Sequence, residues 1–462
     1  MAYQTKLTYG SKVGLVEQLY YSPVAQIPQQ PGIPLSSIYC LLAKNDPWDD
    51  ENNPPAPTQD QAYLKQFAKR VFVAKFIPSN NISPVIQRIN WTSGTIYSYY
   101  NDKIDMFAVD SNGYLLNNFY IINQYDQVFK CLWNNNGSAS TVQPFFQPGT
   151  FDTNNIFHGS DGYKWKYMFT VDLGLKVTFM DANWIPVPVG LNTPNPLYDV
   201  RTNAAPAAGV GSIDVINVTN GGSGYDAANA VIMVTITGDG YGATGTASVA
   251  NGSITDINVT SAGSNYTYAN VAITSLIGSG ATAISPTSPI GGHGFDPVSE
   301  LGVSRAMLVC EFKGSESGAV PTDIMYHQIG IVVNPTTYSL DGVPANGSIY
   351  KTTTDLVVAP GFGTYITDEL IYQGASVDNP SFIATVLSFD STNNVVKLIN
   401  TTGTPANNAS LFGNTTKTTR TVLSSSTPDF VSLSGYISYL ENRTGIQRSV
   451  DGIEQFKIVL GY

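Results

Sequence analysis

The chain has 462 residues, enough for several domains with buried cores at roughly 100–200 residues each. Its 42% hydrophobic content excludes a disordered polymer, while 12% charged residues is about half the usual globular share of ~25%. With 23 Lys+Arg against 34 Asp+Glu the net charge is −11, which repels a phosphate backbone; without a local basic patch, no nucleic-acid partner is expected. Aromatic residues reach 11%, beside 42 Gly and 27 Pro. That balance fits a turn-rich β protein offering wide, weakly charged contact surfaces.

Cys40, Cys131 and Cys310 are far apart and lack CxxC spacing, so no disulfide framework or zinc knuckle is expected, and each reads as a reduced, buried apolar side chain. Met1 to Tyr20 lacks the apolar centre of a signal peptide, and no stretch approaches the ~20 apolar residues of a membrane helix, so no membrane insertion is expected.

In chain order, Ser36 to Lys44 reads as a buried strand broken by Asn45-Asp46-Pro47-Trp48, with an acidic, Pro-rich loop from Asp49 to Pro57. Thr58 and Gln61 form a capping box opening a helix near 59–77, which Pro78 would end. Strands are expected at Trp91 to Tyr100, Phe119 to Ile122, Gln127 to Trp133 and Gly162 to Val171. The last carries Tyr163, Trp165, Tyr167 and Phe169 on one face; Lys164, Lys166 and Met168 on the other predict a wet side or an interface. Trp184 to Val189, with Pro186 and Pro188, fits an edge segment.

Composition shifts near Ala204, and residues 207–285 are Gly-rich and repeat themselves. Gly211 to Thr219 matches Gly252 to Thr260 at an offset of 41 residues, and Gly224-Tyr225 answers Asn265-Tyr266. Two β-hairpin-rich copies would bury their apolar faces against each other. Further strands are expected at Ala306 to Phe312 and Gln328 to Val333, then a small barrel-like insertion at 347–429, then two strands returning to the main body at Gly435 to Asn442 and Gln455 to Leu460. The fold class expected is mainly β, a multi-domain β-sandwich/barrel architecture with one short N-terminal helix. Its segments are an N-terminal core 1–206, the repeat insertion 207–285, a core segment 286–346, the barrel insertion 347–429 and C-terminal strands 430–462.

Motifs for chemistry are weak. Gly240-Tyr241-Gly242-Ala243-Thr244-Gly245 satisfies GxGxxG, but the strand-like Thr246 to Ala250 follows where a dinucleotide loop needs a helix, so a Gly-rich hairpin turn is the better reading. His158, His293 and His327 lack metal-ligand spacing and read as structural. Asp46, Asp49, Asp50 and Glu51 lack the spacing of a calcium loop and read as solvated. A carboxylate pair for glycoside hydrolysis leaves no local signature. The stripe at Tyr163 to Phe169 fits either a sugar-stacking platform or, more commonly, core packing. No enzyme, cofactor, metal or small-molecule substrate is expected.

Several segments together resemble the baseplate wedge subunit, the gene-product-eight family, of contractile-tailed bacteriophages of the T-even type. They are Asn45-Asp46-Pro47-Trp48 with its acidic Pro-rich loop, Pro57-Thr58, Gln87-Arg88-Ile89-Asn90-Trp91, Val128 to Leu132, Asp161 to Phe169, Trp184 to Pro188, Ile329 to Pro335 and Tyr439-Leu440-Glu441-Asn442-Arg443. Their order follows the family along nearly the whole chain, and the two compositional insertions do not match. The resemblance implies a non-enzymatic structural protein of the virion, assembled in the host cytoplasm. It would sit as a homodimer in each wedge of the tail baseplate and contact other wedge proteins. Asp46, Pro47 and Trp48, with Glu441, Asn442 and Arg443, are the candidate interface or junction residues. The alternative is a host-surface carbohydrate-binding adhesin or tailspike-like protein.

Overall fold

The computed structural model describes residues 11–16, 37–44, 46–111, 113–147, 155–189, 211–226, 228, 231–338 and 342–461. The composition shift near Ala204 and most of Met1 to Tyr20 lie outside them. The protein is mainly β, with several sheets and a closed six-strand barrel. It divides into two compact units, one of Met1–Glu17, Ser83–Ala306 and Gly461–Tyr462, the other of Gln18–Ile82 and Met307–Leu460. These units cut across the expected segments 1–206 and 286–346.

In the second unit a five-strand sheet runs in the order Ile349–Lys351, Val71–Phe76, Ile38–Ala43, Met325–Val333, Tyr436–Gln447, antiparallel throughout. All six residues of Ile38–Ala43 are buried because both faces of this central strand are covered. Ile38, Cys40 and Leu42 enter one apolar cluster, and Tyr39, Leu41 and Ala43 enter another. At roughly 1.5–3 kcal/mol per large side chain, this strand anchors the unit.

The helix before the next strand is Gln61–Arg70, not 59–77. Asp60 caps it, accepting from Tyr63 N at 2.8 Å, while the Thr58 hydroxyl is turned onto the Asp60 carboxylate. It stops early because Val71-Phe72-Val73 are β-branched or aromatic and find ladder partners on both sides, a tertiary gain that outweighs helix continuation. Residues 349–351 likewise belong to this sheet. The barrel's strands run from Thr354 to Ser426 in the order Thr354–Val358, Val395–Gly403, Asn379–Asp390, Leu370–Ser376, Ser410–Gly413, Thr419–Ser426. Leu356, Ile371, Phe382, Val396, Leu411 and Val422 fill its interior, whereas Leu387 and Ile399 join the main core cluster.

In the first unit a four-strand sheet is ordered Tyr120–Ile122, Gln127–Asn134, Tyr163–Thr170, Ile156–His158. Tyr163, Trp165 and Tyr167 pack with Phe129 and Cys131, so the aromatic stripe is core. The opposite face, expected to be a wet side or an interface, is not wet: Lys164, Lys166 and Met168 are buried too. Lys164 is tolerated there because its Nζ donates to Ile216 O at 2.8 Å and pairs with Asp256 Oδ1 at 2.7 Å. Trp91 to Tyr100 is not a strand; this stretch is held by isolated bridges, Asn90 to Ile122 and Thr95 to Ser140. Trp184–Pro186 pairs with Val85 to Gln87. Short helices occur at Leu173–Phe179 and Pro297–Glu300, capped by Asp172 and Asp296.

The Gly-rich repeat forms three strands per copy: Asn217–Ser223, Ile232–Gly238 and Tyr241–Ala250, then Ser253–Ser264, Ala269–Ser275 and Ser279–Ile284. First strands pair with the other copy's third, and the two middle strands pair with each other. Equivalent residues exchange equivalent bonds. Tyr225 N donates to Gly252 O at 3.0 Å and Tyr266 N to Gly211 O at 2.9 Å. Tyr225 and Tyr266 share one apolar cluster with Ile216 and Ile257. Gly240, the first glycine of the GxGxxG run, lacks a side chain because a Cβ there would lie 2.5 Å from the Tyr266 ring.

Candidate functional site: a loop clamped to a bulged strand

The two candidate segments lie 395 positions apart in the chain at their closest bond, and the second unit brings them together. The cause is a defect in the sheet. Along Tyr436–Gln447, Ile446 faces Tyr326 and Asn442 faces Gln328, so Arg443, Thr444 and Gly445 together oppose the single residue His327. A bulge of this kind takes backbone groups out of the ladder and leaves them open to other partners. Gly445 is required at its end, since a Cβ would sit 2.4 Å from Met325 Sδ and 2.8 Å from His327 Nε2.

The loop after the central strand takes up those groups. Trp48 Nε1 donates to Arg443 O at 2.7 Å, and the indole meets the His327 ring edge-on with centroids 6.1 Å apart. Glu51 accepts from Gly445 N at 2.9 Å through Oε2 and from Trp48 N at 2.8 Å through Oε1, while its carbonyl accepts from Thr444 Oγ1 at 2.7 Å. Asn442 Nδ2 donates to Pro55 O at 2.7 Å, and its Oδ1 accepts from Tyr63 Oη at 2.8 Å and Gln328 Nε2 at 2.9 Å. Helix, loop and two strands are thus tied at one place.

Electrostatics follow from these bonds. The Gly445 N–H above all, joined by the Trp48 N–H and the imidazole of His327, whose Nε2 lies 3.2 Å from Oε1, holds the Glu51 carboxyl below the usual carboxylate range against the opposing effect of burial. Both its oxygens carry backbone N–H groups, so it works as a strut. Glu441 Oε1 pairs with Arg443 Nε at 2.9 Å, and Glu441 Oε2 accepts from Tyr439 Oη at 2.8 Å. Asp46 and Pro47 remain exposed, with Asp46 Oδ2 3.0 Å from Arg70 Nη2. Beside them a cleft of about 260 Å3 is lined by Lys44, Arg70, Asp368 and Asn400, among others, and its charges cancel through the 3.2 Å Lys44–Asp368 pair.

Glu51, His327, Thr444 and Gly445 belong to this clamp and were not legible in the sequence. Glu51 reads there as one more solvated acid beside Asp49 and Asp50, which are indeed exposed. A different buried cluster also escapes sequence reasoning. Lys130 Nζ pairs with Glu300 Oε2 at 2.8 Å, His293 lies against the same carboxylate, and the Tyr100 ring sits 4.3 Å from Nζ. Its members come from distant segments, so no spacing announces them. Among the described residues no group of three or more His, Cys, Asp or Glu converges to hold a metal ion. No family model matches the chain, and no curated protein shows significant similarity to it.

Proposed function

We propose that this chain is a structural component of a contractile phage tail baseplate wedge, acting without catalysis as a homodimer that binds neighbouring wedge proteins. The observation that carries the reading is the clamp. Two of the segments that resemble the wedge family, one near each end of the sequence, meet through bonds directed at backbone groups. Such bonds fix geometry rather than move protons, which suits a part that transmits force. Few charges and exposed apolar side chains such as Leu173 and Val177, one turn apart on a short helix, suit broad permanent contacts, because a buried unpaired charge is costly there.

The test is to purify the full chain and measure its mass by light scattering, then to cross-link intact particles and identify its neighbours. A dimer in solution and cross-links to tail proteins are expected. A monomer that is absent from purified particles overturns the proposal. Trp48→Ala separates folding from assembly: a folded variant that no longer enters particles places the clamp at an interface, whereas an unfolded one makes it an internal joint.

A further inference from the structure

In the first unit, the strand bearing Lys164 and the Gly-rich module enclose a cleft of about 420 Å3. Its floor is electrically closed. Lys164 is spent on Ile216 O and Asp256 Oδ1, and the other carboxylate oxygen of Asp256 faces His158 Nδ1 at 3.7 Å. Its rim is polar and fixed by turns. Asn135 and Asn136 both adopt left-handed backbone, φ 49° and 56°, and Asn136 Nδ2 ties the rim across to Thr219 O at 3.3 Å. Gly221 lets the opposite wall pack closely on Ser253, since a Cβ there would meet Ser253 Oγ at 2.3 Å.

These features select a ligand class. A phosphate would find a lysine already neutralised and one half-exposed imidazole, too little positive charge to offset its desolvation. An apolar ligand would bury amides and hydroxyls without partners. Sugar hydroxyls both donate and accept, so they complement a mixed wall of amides, hydroxyls and a carboxylate. The volume falls within the ~300–1,000 Å3 of small-molecule sites. The geometry points to a binding site for a neutral saccharide unit in this cleft, held by Asn136, His158, Asn220, Ser253, Thr255 and Asp256. This assignment is independent of the wedge proposal, since a baseplate part functions with or without such a site.

The experiment is saturation-transfer NMR on the full chain with the methyl glycosides of glucose, galactose, mannose and N-acetylglucosamine as probes. Transfer to the ring protons of at least one is expected, with loss in Asn220→Trp, which fills the mouth from an exposed strand position. Asp256→Asn, checked by its melting curve because Lys164 loses a partner, should weaken the same probe about tenfold or more. No transfer from any of the four, or transfer unchanged in Asn220→Trp, overturns the site. Displacement of the sugar by an equal concentration of inorganic phosphate marks an anion site and overturns it as well.

Discussion

Glu300 and Lys130 are sealed from solvent, and their charges meet at 2.8 Å. Burial opposes ionisation of Glu300, yet the Lys130 charge, then His293, outweigh it and bring the carboxyl down to about 2. Burial pushes the Lys130 ammonium below its usual value, opposed by Glu300. Glu300→Gln leaves a buried ammonium without its hydrogen-bonded carboxylate, and a loss of about 3–5 kcal/mol is expected in urea unfolding at neutral pH. The sign with pH follows from a folded value below the unfolded one. The stabilisation is complete above the ordinary carboxyl value of about 4.3 and is lost as pH falls toward about 2. The gap between wild type and Glu300→Gln should therefore narrow as pH falls from about 5 to about 2. A constant gap would mean that the charge does not matter.

Trp48 offers a finer test at the same scale. Trp48→Phe keeps an aromatic ring against His327 but removes the donor to Arg443 O, and should cost about 1 kcal/mol. Trp48→Ala removes the packing too and should cost more, about 3 kcal/mol or above. Urea midpoints for both variants check this. Equal losses would place all of the effect in the hydrogen bond.

Among elements, the Gly-rich module makes the sharpest prediction because its two copies exchange strands. The Tyr225 hydroxyl accepts from Ala281 N at 3.3 Å, and that of Tyr266 accepts from Ala243 N at 3.4 Å. Two surroundings this similar should answer alike. Tyr225→Phe and Tyr266→Phe are each expected to cost about 1 kcal/mol, matching within about 0.5 kcal/mol in thermal melts. A large inequality would mean that the copies have diverged in energy while keeping their form. The repeat is legible in the sequence because recurrence needs no knowledge of the fold. The strand at Gln127–Asn134 is legible as a short apolar run, and that at Tyr163–Thr170 because its aromatic residues keep period two. The end of the helix at Arg70 is not, since Phe67 to Phe76 satisfies both periods until Ile38–Ala43 supplies a ladder partner. Nor is the bulge at Arg443 to Gly445: nothing local distinguishes Gly445 from a turn glycine, and Met325 and His327, which forbid its side chain, arrive from more than a hundred residues away. The lysines of the Tyr163–Thr170 strand mislead for the same reason, because Asp256 and Ile216 O reach Lys164 from the repeat.

For the whole molecule, the scarcity of charge determines how it should associate. Two protomers of net charge −11 repel at long range, so the proposed dimer, if held by apolar and uncharged polar contacts, would form despite electrostatics. Raising NaCl from about 0.1 M to about 1 M shortens the screening length from about 10 Å to about 3 Å and relieves that repulsion. Exposed apolar side chains such as Leu173 and Val177 lose nothing to screening. The dimer constant in sedimentation equilibrium should therefore hold or tighten slightly, by less than about threefold, across that range. A dimer built on ion pairs behaves oppositely, because each pair weakens as salt rises. Loosening by more than about tenfold would place charged groups at the contact and remove the argument that a charge-poor surface is what binds the neighbours.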